Sequence, residues 1–495
     1  MESVNPPGMA RRAALTVVLW AGFWLLGLAV AGALLWVPVA ETRYTGSMGL
    51  AGIMAALGSV TVLWALRPRG WFSRQKNDAK PLSREEFPEL FKLLDQVATR
   101  ARTAAPRKVY LSGEATAFIG MERRWLGLKR EPVVGIGLPL FAFLDREELA
   151  SVLAHEYGHQ TGGDLSLGPW VYRTRRSIAL AVDSLEDSAF FLDVPFQLYG
   201  RFFLRMSGTV SRQQELAADA LAASVCGPRP TAEALRKVHV LGPLWGAYFA
   251  HELVPLFEQR VRVPMLEGFR RFVAEERRRR DVEEGLREVL ERPPSPWDSH
   301  PPLEERLRGL GRSGDSGGSG AAAPSLPLNG CLELLGGEQA AEEAWFERAV
   351  SEGLVALRWE ELPEKILVPD MQKQWAGSAI DPSRMSLRDL PGLLKEGEAL
   401  WKRIRPPGIE LLSPEGQRQR VRQLLVGWLS SALAHRGFTP ELRPGAYLRM
   451  TCDDVSVEPQ AIVERLTTGA LTEEQYLEAC EVLESAALQR TAAAG

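Results

Sequence analysis

The sequence predicts a mainly helical protein made of a two-helix membrane anchor, a helical domain with a small β-sheet, and a mostly helical C-terminal domain. Two long apolar segments near the N-terminus predict the anchor, and helical periodicity with capping patterns dominates the rest of the chain. A segment rich in glycine, serine and proline separates the two soluble parts. The predicted boundaries are residues 1–70 for the anchor, 81–310 for the first soluble domain, 311–330 for the linker and 331–495 for the C-terminal domain.

The anchor prediction rests on two runs, Ala13 to Val39 and Thr45 to Leu66, that are almost wholly apolar. Each exceeds the ~20 residues that a helix needs to cross ~30 Å of hydrocarbon. A cleavable signal peptide is the alternative for the first run, but its apolar core would span only about 7–15 residues and no second run would follow at once. Arginine and lysine flank both outer ends, so we expect a multi-pass protein of the cell inner (cytoplasmic) membrane with its soluble domains in the cytoplasm.

Composition excludes several classes of protein. The 495 residues carry a net charge of −3, and their 45% hydrophobic and 24% charged fractions are those of an ordinary globular chain. Without a positive excess the chain has no field for holding nucleic acid, so we expect no such partner. The four cysteines form no CxxC pair, which argues against a disulfide framework and a thiolate metal site and favours a reducing compartment.

Local patterns predict the elements of the first soluble domain. Ser83 and Glu86 have capping-box spacing and predict a helix through about Arg102. Asp145 begins another helix. The β-rich runs predict strands at residues 108–111 and 133–137.

Two further segments need interpretation. Residues 178–206 are apolar in patches but carry acidic side chains, which argues against a third span and leaves either a cover over the cleft or a helix on the membrane surface. The aromatic-rich residues 241–257 are typical of a core helix. Beyond the linker, helices are predicted at residues 338–354, 387–404, 414–435 and 472–488, the last opened by Thr472 and Gln475 in capping-box spacing.

A metal motif lies on the helix that Asp145 begins. Residues 154–159 read Ala-His-Glu-Tyr-Gly-His, so His155 and His159 are four positions apart and project from one helix face toward one point. Catalytic zinc takes three protein ligands and leaves the fourth position to water. Glu156 lies one step round the helix, where its carboxylate can take the proton of that water. The pattern predicts one Zn2+ per chain with Glu156 as the catalytic base.

A third ligand is offered downstream. Glu215 and Asp219 lie one turn apart on a helix-like run, and isolated pairs of this kind usually lie on a solvated face. Behind an HExxH helix, however, we interpret Glu215 as the third ligand and Asp219 as the acceptor for the outer N–H of a ligand histidine. Small residues of the same run suit a helix that packs tightly on a neighbour: Ala217, Ala218, Ala220, Ala222 and Ala223.

Three blocks in this order, HEYGH, R-x-x-E-x-x-x-D from Arg212 to Asp219, and S-H-P-x-x-x-x-R from Ser299 to Arg306, resemble the membrane zinc metallopeptidase family of HtpX-like proteases and type 1 CAAX prenyl proteases. The likeness extends from Pro81 to about Leu310. It implies a zincin-like (gluzincin) domain of helices with a small edge sheet, and a membrane-embedded endopeptidase.

The resemblance also implies roles for the third block. Taken alone, Ser299 is typical of a helix N-cap, and His300 would then merely lie at the helix terminus without a role in the site. The family places this histidine beside the zinc, where it can donate a hydrogen bond to the oxyanion of the scissile carbonyl. Arg306 is expected to brace the site through a carboxylate such as Asp219.

Members of the family bind substrate as an added strand along the sheet edge, which here would be the segment around Ala115 to Glu122. Many relatives carry Asn-Ala-Phe at this edge, whereas this chain has Thr116, Ala117 and Phe118 and so lacks the amide. Many relatives also place two further spanning helices between the pentad and the third ligand, where this chain has only apolar patches.

Two functions compete. The first is a zinc-dependent metalloendopeptidase that hydrolyses protein or peptide substrates, membrane proteins among them, through a zinc-activated water. The second is a catalytically silent zinc-fold scaffold, with residues 331–495 as the surface for a protein partner. Because no ligand or base is missing, the sequence favours the enzyme.

Overall fold

The computed structural model describes most of the chain. The described residues are 9–66, 80–124, 129–161, 193–276, 301–311, 330–349, 353–375, 380–404 and 413–494, with the single positions 178, 278, 280, 284 and 287. Within them the fold is mostly helical with small sheets, as the sequence predicts.

The described residues form seventeen α-helices, numbered in chain order. They are α1 (Met9–Thr45), α2 (Leu50–Leu66), α3 (Pro88–Arg100), α4 (Leu138–Phe143), α5 (Arg146–Thr161), α6 (Asp193–Cys226), α7 (Pro228–Tyr248), α8 (Val254–Glu258), α9 (Met265–Ala274), α10 (Leu303–Gly309), α11 (Glu338–Ala349), α12 (Val368–Trp375), α13 (Leu390–Glu396), α14 (Glu398–Ile404), α15 (Pro414–His435), α16 (Pro459–Thr468) and α17 (Glu473–Ala494). The strands are β1 (Lys108–Ser112), β2 (Ala117–Arg124), β3 (Lys129–Gly137), β4 (Val261–Arg262), β5 (Val355–Ala356), β6 (Thr439–Glu441), β7 (Arg449–Cys452) and β8 (Val455–Val457).

Packing divides the chain into two compact units. The first comprises Met1–Pro243 and Glu283–Val350, and the second comprises Leu244–Val282 and Ser351–Gly495.

The first unit opens with an apolar hairpin of α1 and α2. Within the described residues one helical segment, Val17–Thr45, is long and apolar enough to cross a membrane, whereas α2 has only 17 residues. The second apolar helix is therefore shorter than the run predicted from Thr45, because the chain turns between α1 and α2. The Glu41 carboxylate closes this turn by accepting hydrogen bonds from Gly49 N at 3.0 Å and Gly52 N at 2.9 Å. A two-span anchor stays a prediction.

The beginning of α6 packs against α1. The Phe196 ring lies 5.7 Å from that of Phe23 in an edge-to-face arrangement, and the Tyr199 hydroxyl donates to Leu19 O at 2.9 Å. The later part of the apolar segment 178–206 therefore belongs to a long helix that starts beside the hairpin and ends near the predicted metal ligands. Of residues 179–192 nothing is described.

A three-stranded sheet supports the predicted site. Its order is β1-β3-β2, with β1 parallel and β2 antiparallel to β3, so β2 lies at an edge. The end of β3 leads directly into α4 and then α5. Helix α3 packs against α5, and its buried residues include Leu90, Leu94 and Val97.

The chain after the glycine-rich segment returns to this unit. Cys331 N donates to Leu144 O at 3.0 Å, and the Arg348 guanidinium pairs with Glu86 at 2.9 Å. A Cβ placed on Gly113, in the turn after β1, would lie 2.9 Å from the Trp345 ring, so α11 packs closely against that turn. The packing boundary thus falls after residue 350, later than the linker at 311–330.

The second unit has its own core. Trp428 of α15 is fully buried, and its indole N–H donates to Ile380 O at 2.7 Å. Trp245 and Tyr248 pack on Phe269, as expected for a core helix. The three-stranded sheet β6-β7-β8 covers this unit and was not expected from its sequence.

Several helix ends differ from the prediction for local reasons. Ser83 Oγ accepts from Glu86 N at 3.2 Å, but the Glu86 carboxylate pairs with Arg348 instead of closing the capping box, and α3 begins only at Pro88. The helix predicted over 387–404 is broken at Gly397, whose φ is +45°.

At the C-terminus the prediction is confirmed. Thr472 N donates to Gln475 Oε1 at 3.0 Å, and Thr472 Oγ1 accepts from Gln475 N at 3.2 Å, which closes the capping box that opens α17.

Candidate metal centre and active site

Helix α5 presents the first two candidate ligands. Its start is fixed by Asp145, whose Oδ1 accepts from Glu147 N at 2.9 Å and Glu148 N at 2.8 Å, while Asp145 N donates to Glu148 Oε2 at 2.9 Å. These bonds satisfy backbone N–H groups that lack partners at a helix start. His155 and His159 then lie one turn apart on the same face.

Helix α6 presents the other two candidates, and it approaches α5 closely. A Cβ placed on Gly158 would lie 2.7 Å from the Cα atom of Ala218 and 2.9 Å from its Cβ atom. Only glycine therefore fits at position 158 without displacing one of the helices. The glycine lies beside His159, and Ala218 lies beside Asp219, so this contact sets the distance between the two pairs of candidates.

The three predicted ligands converge on one point. The Nε2 atoms of His155 and His159 are 3.2 Å apart, Glu215 Oε2 is 3.6 Å from His155 Nε2, and Glu215 Oε1 is 3.5 Å from His159 Nε2. Ligand atoms bound tetrahedrally to zinc at ~2.0–2.1 Å would be separated by about 3.3 Å. Two imidazoles and one carboxylate at these separations fit a zinc ion, so the group could hold this metal.

Asp219 orients the first of these ligands. Its Oδ1 lies 2.9 Å from His155 Nδ1, which makes Nδ1 the donor and leaves the lone pair of Nε2 directed toward the other two ligands. Arg306 holds the carboxylate from the other side, with Nε 2.8 Å from Oδ2 and Nη2 2.7 Å from Oδ1. A metal site commonly fixes a ligand histidine through such a carboxylate.

The charges of this group are buried together. Burial alone would raise the pKa of the Asp219 carboxyl, but the hydrogen bonds from Arg306 and His155 hold that pKa well below its usual range. Burial would likewise lower the pKa of Arg306, but the carboxylates of Asp219, Glu215 and Glu156 raise it. Asp219 is therefore a carboxylate, and Arg306 offsets part of the negative charge around the candidate ligands.

Glu156 points into a cavity beside the candidate ligands. The cavity has a volume of about 340 Å³, and its lining includes His155, Glu156, Asp219 and Arg306. Glu156 lies on the same helix as the two histidines but outside the candidate ligand group. A carboxylate in this position could take a proton from a molecule bound between it and the metal.

The predicted edge residues also reach the cavity. Ala117 is the first residue of β2, Thr116 directly precedes it, and both line the cavity. Phe118 does not line it. Its ring lies over Gly135 of the neighbouring strand, where a built Cβ would approach the ring to 2.2 Å, and 42% of the Phe118 surface is exposed. His300 lies outside the described residues.

One wall of the cavity was not predicted from the sequence. Helix α7 contributes Thr231, Ala234, Leu235, Val238 and His239 from one face. The available signal was the three-to-four-residue spacing of these positions and the presence of one of only six histidines in the chain. That spacing shows a buried or lining face, but it does not say what the face covers.

Comparison with known proteins identifies the same part of the chain. Residues 84–313, which include all the candidate ligands, match the family described as peptidase family M48. This match covers 230 of the 495 residues, just under half of the chain. It supports a protease as the class of protein to which this part of the chain is similar.

Two individual proteins are similar to parts of the chain. A protease HtpX homolog of Pelodictyon phaeoclathratiforme is 28% identical over 238 residues, which are 43% of this chain and 80% of the relative. The crystal structure of S. mikatae Ste24p aligns with 60% of this chain and 66% of its own at 18% identity, with a TM-score of 0.27. At that TM-score the second likeness does not establish a shared fold.

Proposed function

We propose that the protein is a membrane-anchored, zinc-dependent metalloendopeptidase that hydrolyses peptide bonds in protein or peptide substrates. The observation that carries the proposal is the convergence of His155, His159 and Glu215 on one point, next to a cavity that His155 and Glu156 line. The match of residues 84–313 to peptidase family M48 supports proteolysis as the reaction class.

Two roles are proposed for these residues, metal binding and proton transfer. His155, His159 and Glu215 would hold zinc, which when bound would polarise the scissile carbonyl and acidify a water molecule. The Glu156 carboxylate accepts a proton from the attacking water and delivers it to the leaving amine, since a carboxylate that has gained a proton can act as the acid in the next step. No covalent bond to the protein is needed.

Asp219 and Arg306 act by positioning. The hydrogen bond from His155 Nδ1 to Asp219 keeps the imidazole in the tautomer that can bind a metal through Nε2. The bidentate contact with Arg306 keeps the carboxylate in place. His300 is proposed, from its sequence context, as a second donor to the oxyanion of the scissile carbonyl.

Substrate would bind as an extended strand along the outer edge of β2. Among the residues that the structure describes, β2 pairs on one side only, with β3, so its other edge can pair with an added strand. Because Thr116 and Ala117 line the cavity, that strand would pass beside Glu156. Thr116 offers a hydroxyl here, and its Oγ1 lies 3.3 Å from Ala117 O.

Membrane anchoring is supported by α1, whose Val17–Thr45 segment can cross a bilayer by length and composition. We propose the inner (cytoplasmic) membrane and a cytoplasmic catalytic domain on the charges that flank the apolar runs in the sequence. Residues 331–495 are proposed to bind a protein partner, since those of them that the structure describes supply none of the candidate metal ligands.

The test is hydrolysis of an unfolded protein by the purified full-length chain in detergent. We expect one zinc per chain, cleavage at internal peptide bonds, complete loss of cleavage on metal chelation, and recovery when zinc is returned. Cleavage that survives complete removal of metal would contradict the proposal. A protein that binds zinc in this group but cleaves no substrate would instead favour the scaffold.

A further inference from the structure

The cavity beside the candidate metal ligands has a lining that hydrolysis itself does not use in full. Apart from His155, Glu156, Asp219 and Arg306, most of its lining residues are apolar. The apolar lining residues are Ala117, Leu140, Val152, Ala234, Leu235, Val238 and Pro243, and the other polar ones are Thr116, Ser151, Thr231 and His239. A mostly apolar recess with a few polar groups is the usual form of a site that binds an organic group.

The size of the recess favours a large side chain. An apolar cavity of ~150 Å³ is enough to bind benzene. The whole cavity here has a volume of about 340 Å³, more than twice that size. It can therefore hold an aromatic ring or a long aliphatic side chain, and it would be poorly filled by alanine or glycine.

The walls of the recess are fixed to each other. Ser151 Oγ of α5 donates to Thr231 Oγ1 of α7 at 2.8 Å, and Thr231 Oγ1 in turn donates to Gly227 O at 2.8 Å. A second tie is the buried ion pair between Glu148 and Lys237, at 2.6 Å with 6% and 9% of the side chains exposed. Because both ties join α5 to α7, the recess is preformed and can select by shape.

We propose that this recess is the subsite for the substrate side chain next to the scissile bond, that it takes a large apolar side chain, and that Leu235 and Val238 set the size limit. The proposal rests on the proposed function, because it takes Glu156 and His155 as the reacting groups of the same cavity. Leu235 and Val238 are partly buried and lie three residues apart on the cavity face of α7. They contact the substrate side chain without taking part in proton transfer.

The experiment uses the full-length, zinc-loaded protein and a set of peptides that differ at one residue beside the cleaved bond. Wild type is expected to prefer phenylalanine or leucine over alanine. Val238→Phe and Leu235→Phe should each lower kcat/KM for phenylalanine relative to alanine by at least ~10-fold, since a mismatch in an apolar pocket changes discrimination by about 10–200-fold. Val238→Ala should shift the preference toward tryptophan.

Glu233→Gln is the matched control, because Glu233 lies on α7 but does not line the cavity and pairs with Arg236. Its residue preference should equal that of wild type. Zinc content and thermal unfolding report whether each variant folds, and Val238→Ala keeps the test decisive if the larger side chains prevent folding.

If the residue preference is unchanged in folded, active Val238→Ala, and also in each phenylalanine variant that folds, the subsite assignment is overturned while the protease is left intact. Wild-type protein that cleaves none of these peptides nor an unfolded protein would contradict the proposed function, and the subsite with it.

Discussion

Replacement of Gly158 by alanine tests how the two ligand-bearing helices are held together. The added Cβ would lie 2.7 Å from the Ala218 Cα atom, whereas ordinary contacts begin at about 3.4 Å, so α5 and α6 must separate locally by about 0.7 Å. Zinc–ligand distances tolerate only ~0.2 Å. The histidines are on one helix and Glu215 on the other, so the separation acts directly on the ligand geometry.

The expected result is a zinc affinity that falls at least ~10-fold, within the ~10–100-fold range typical when groups supporting a metal site are disturbed. Stability should change less, because overpacking costs about 1–3 kcal/mol while glycine to alanine in a helix contributes up to about 1 kcal/mol. Competition with a fluorescent zinc chelator measures the affinity, and thermal unfolding of the metal-free protein measures stability.

Gly246→Ala is the matched control. It makes the same substitution inside α7, but a Cβ at position 246 meets nothing within 4 Å. Zinc affinity should be unchanged and the helix slightly stabilised, by about 0.5–1 kcal/mol. If Gly158→Ala binds zinc as tightly as wild type and the control, the close contact between α5 and α6 does not set the geometry of the site.

Three further results are expected. Glu215→Ala should contain little zinc by metal analysis, because two imidazoles alone make a weak site, and full occupancy would show that the third ligand lies elsewhere. Arg306→Met should lower the unfolding temperature markedly and weaken zinc binding. Removing one partner of a buried ion pair costs about 3–5 kcal/mol, and Asp219 would lose the guanidinium that holds it. A variant as stable as wild type would contradict the bracing role of Arg306. A chain that ends after residue 311 should unfold at a lower temperature than one that ends after residue 352, because only the longer chain keeps α11 and the Arg348–Glu86 ion pair. Equal unfolding temperatures would mean that α11 does not stabilise the first unit.

The parts of the site that are local in sequence could be predicted. His155 and His159 are brought to one face by helix periodicity alone, and the same holds for Glu215 and Asp219. The start of α5 at Asp145 and of α17 at Thr472 follows from capping patterns that are complete within four residues.

The parts that depend on packing could not be predicted in detail. Alanines on α6 indicated a close neighbour, but not that Gly158 is the point of contact, because that depends on how the two helices cross. The late start of α3 also depends on a contact between residues far apart in sequence. The Glu86 carboxylate, which the capping pattern assigns to the start of the helix, pairs with Arg348 instead.

The wall formed by α7 illustrates a second limit. Periodicity identifies a buried face, but an apolar face that lines a substrate pocket has the same pattern as one that packs in a core. The short strands of the second unit are a third case, because runs of three or four residues carry little periodicity of their own.

The most direct test of the account is a comparison of zinc content and turnover in the same preparations of wild type, Glu156→Gln and Glu147→Gln. Both variants make the same chemical change on α5, but Glu156 lines the cavity whereas Glu147 is exposed near the helix start. The account predicts one zinc per chain in all three proteins, wild-type hydrolysis in Glu147→Gln, and almost none in Glu156→Gln, because an amide cannot accept the proton of the attacking water. Hydrolysis by Glu156→Gln at a rate near that of wild type would contradict it.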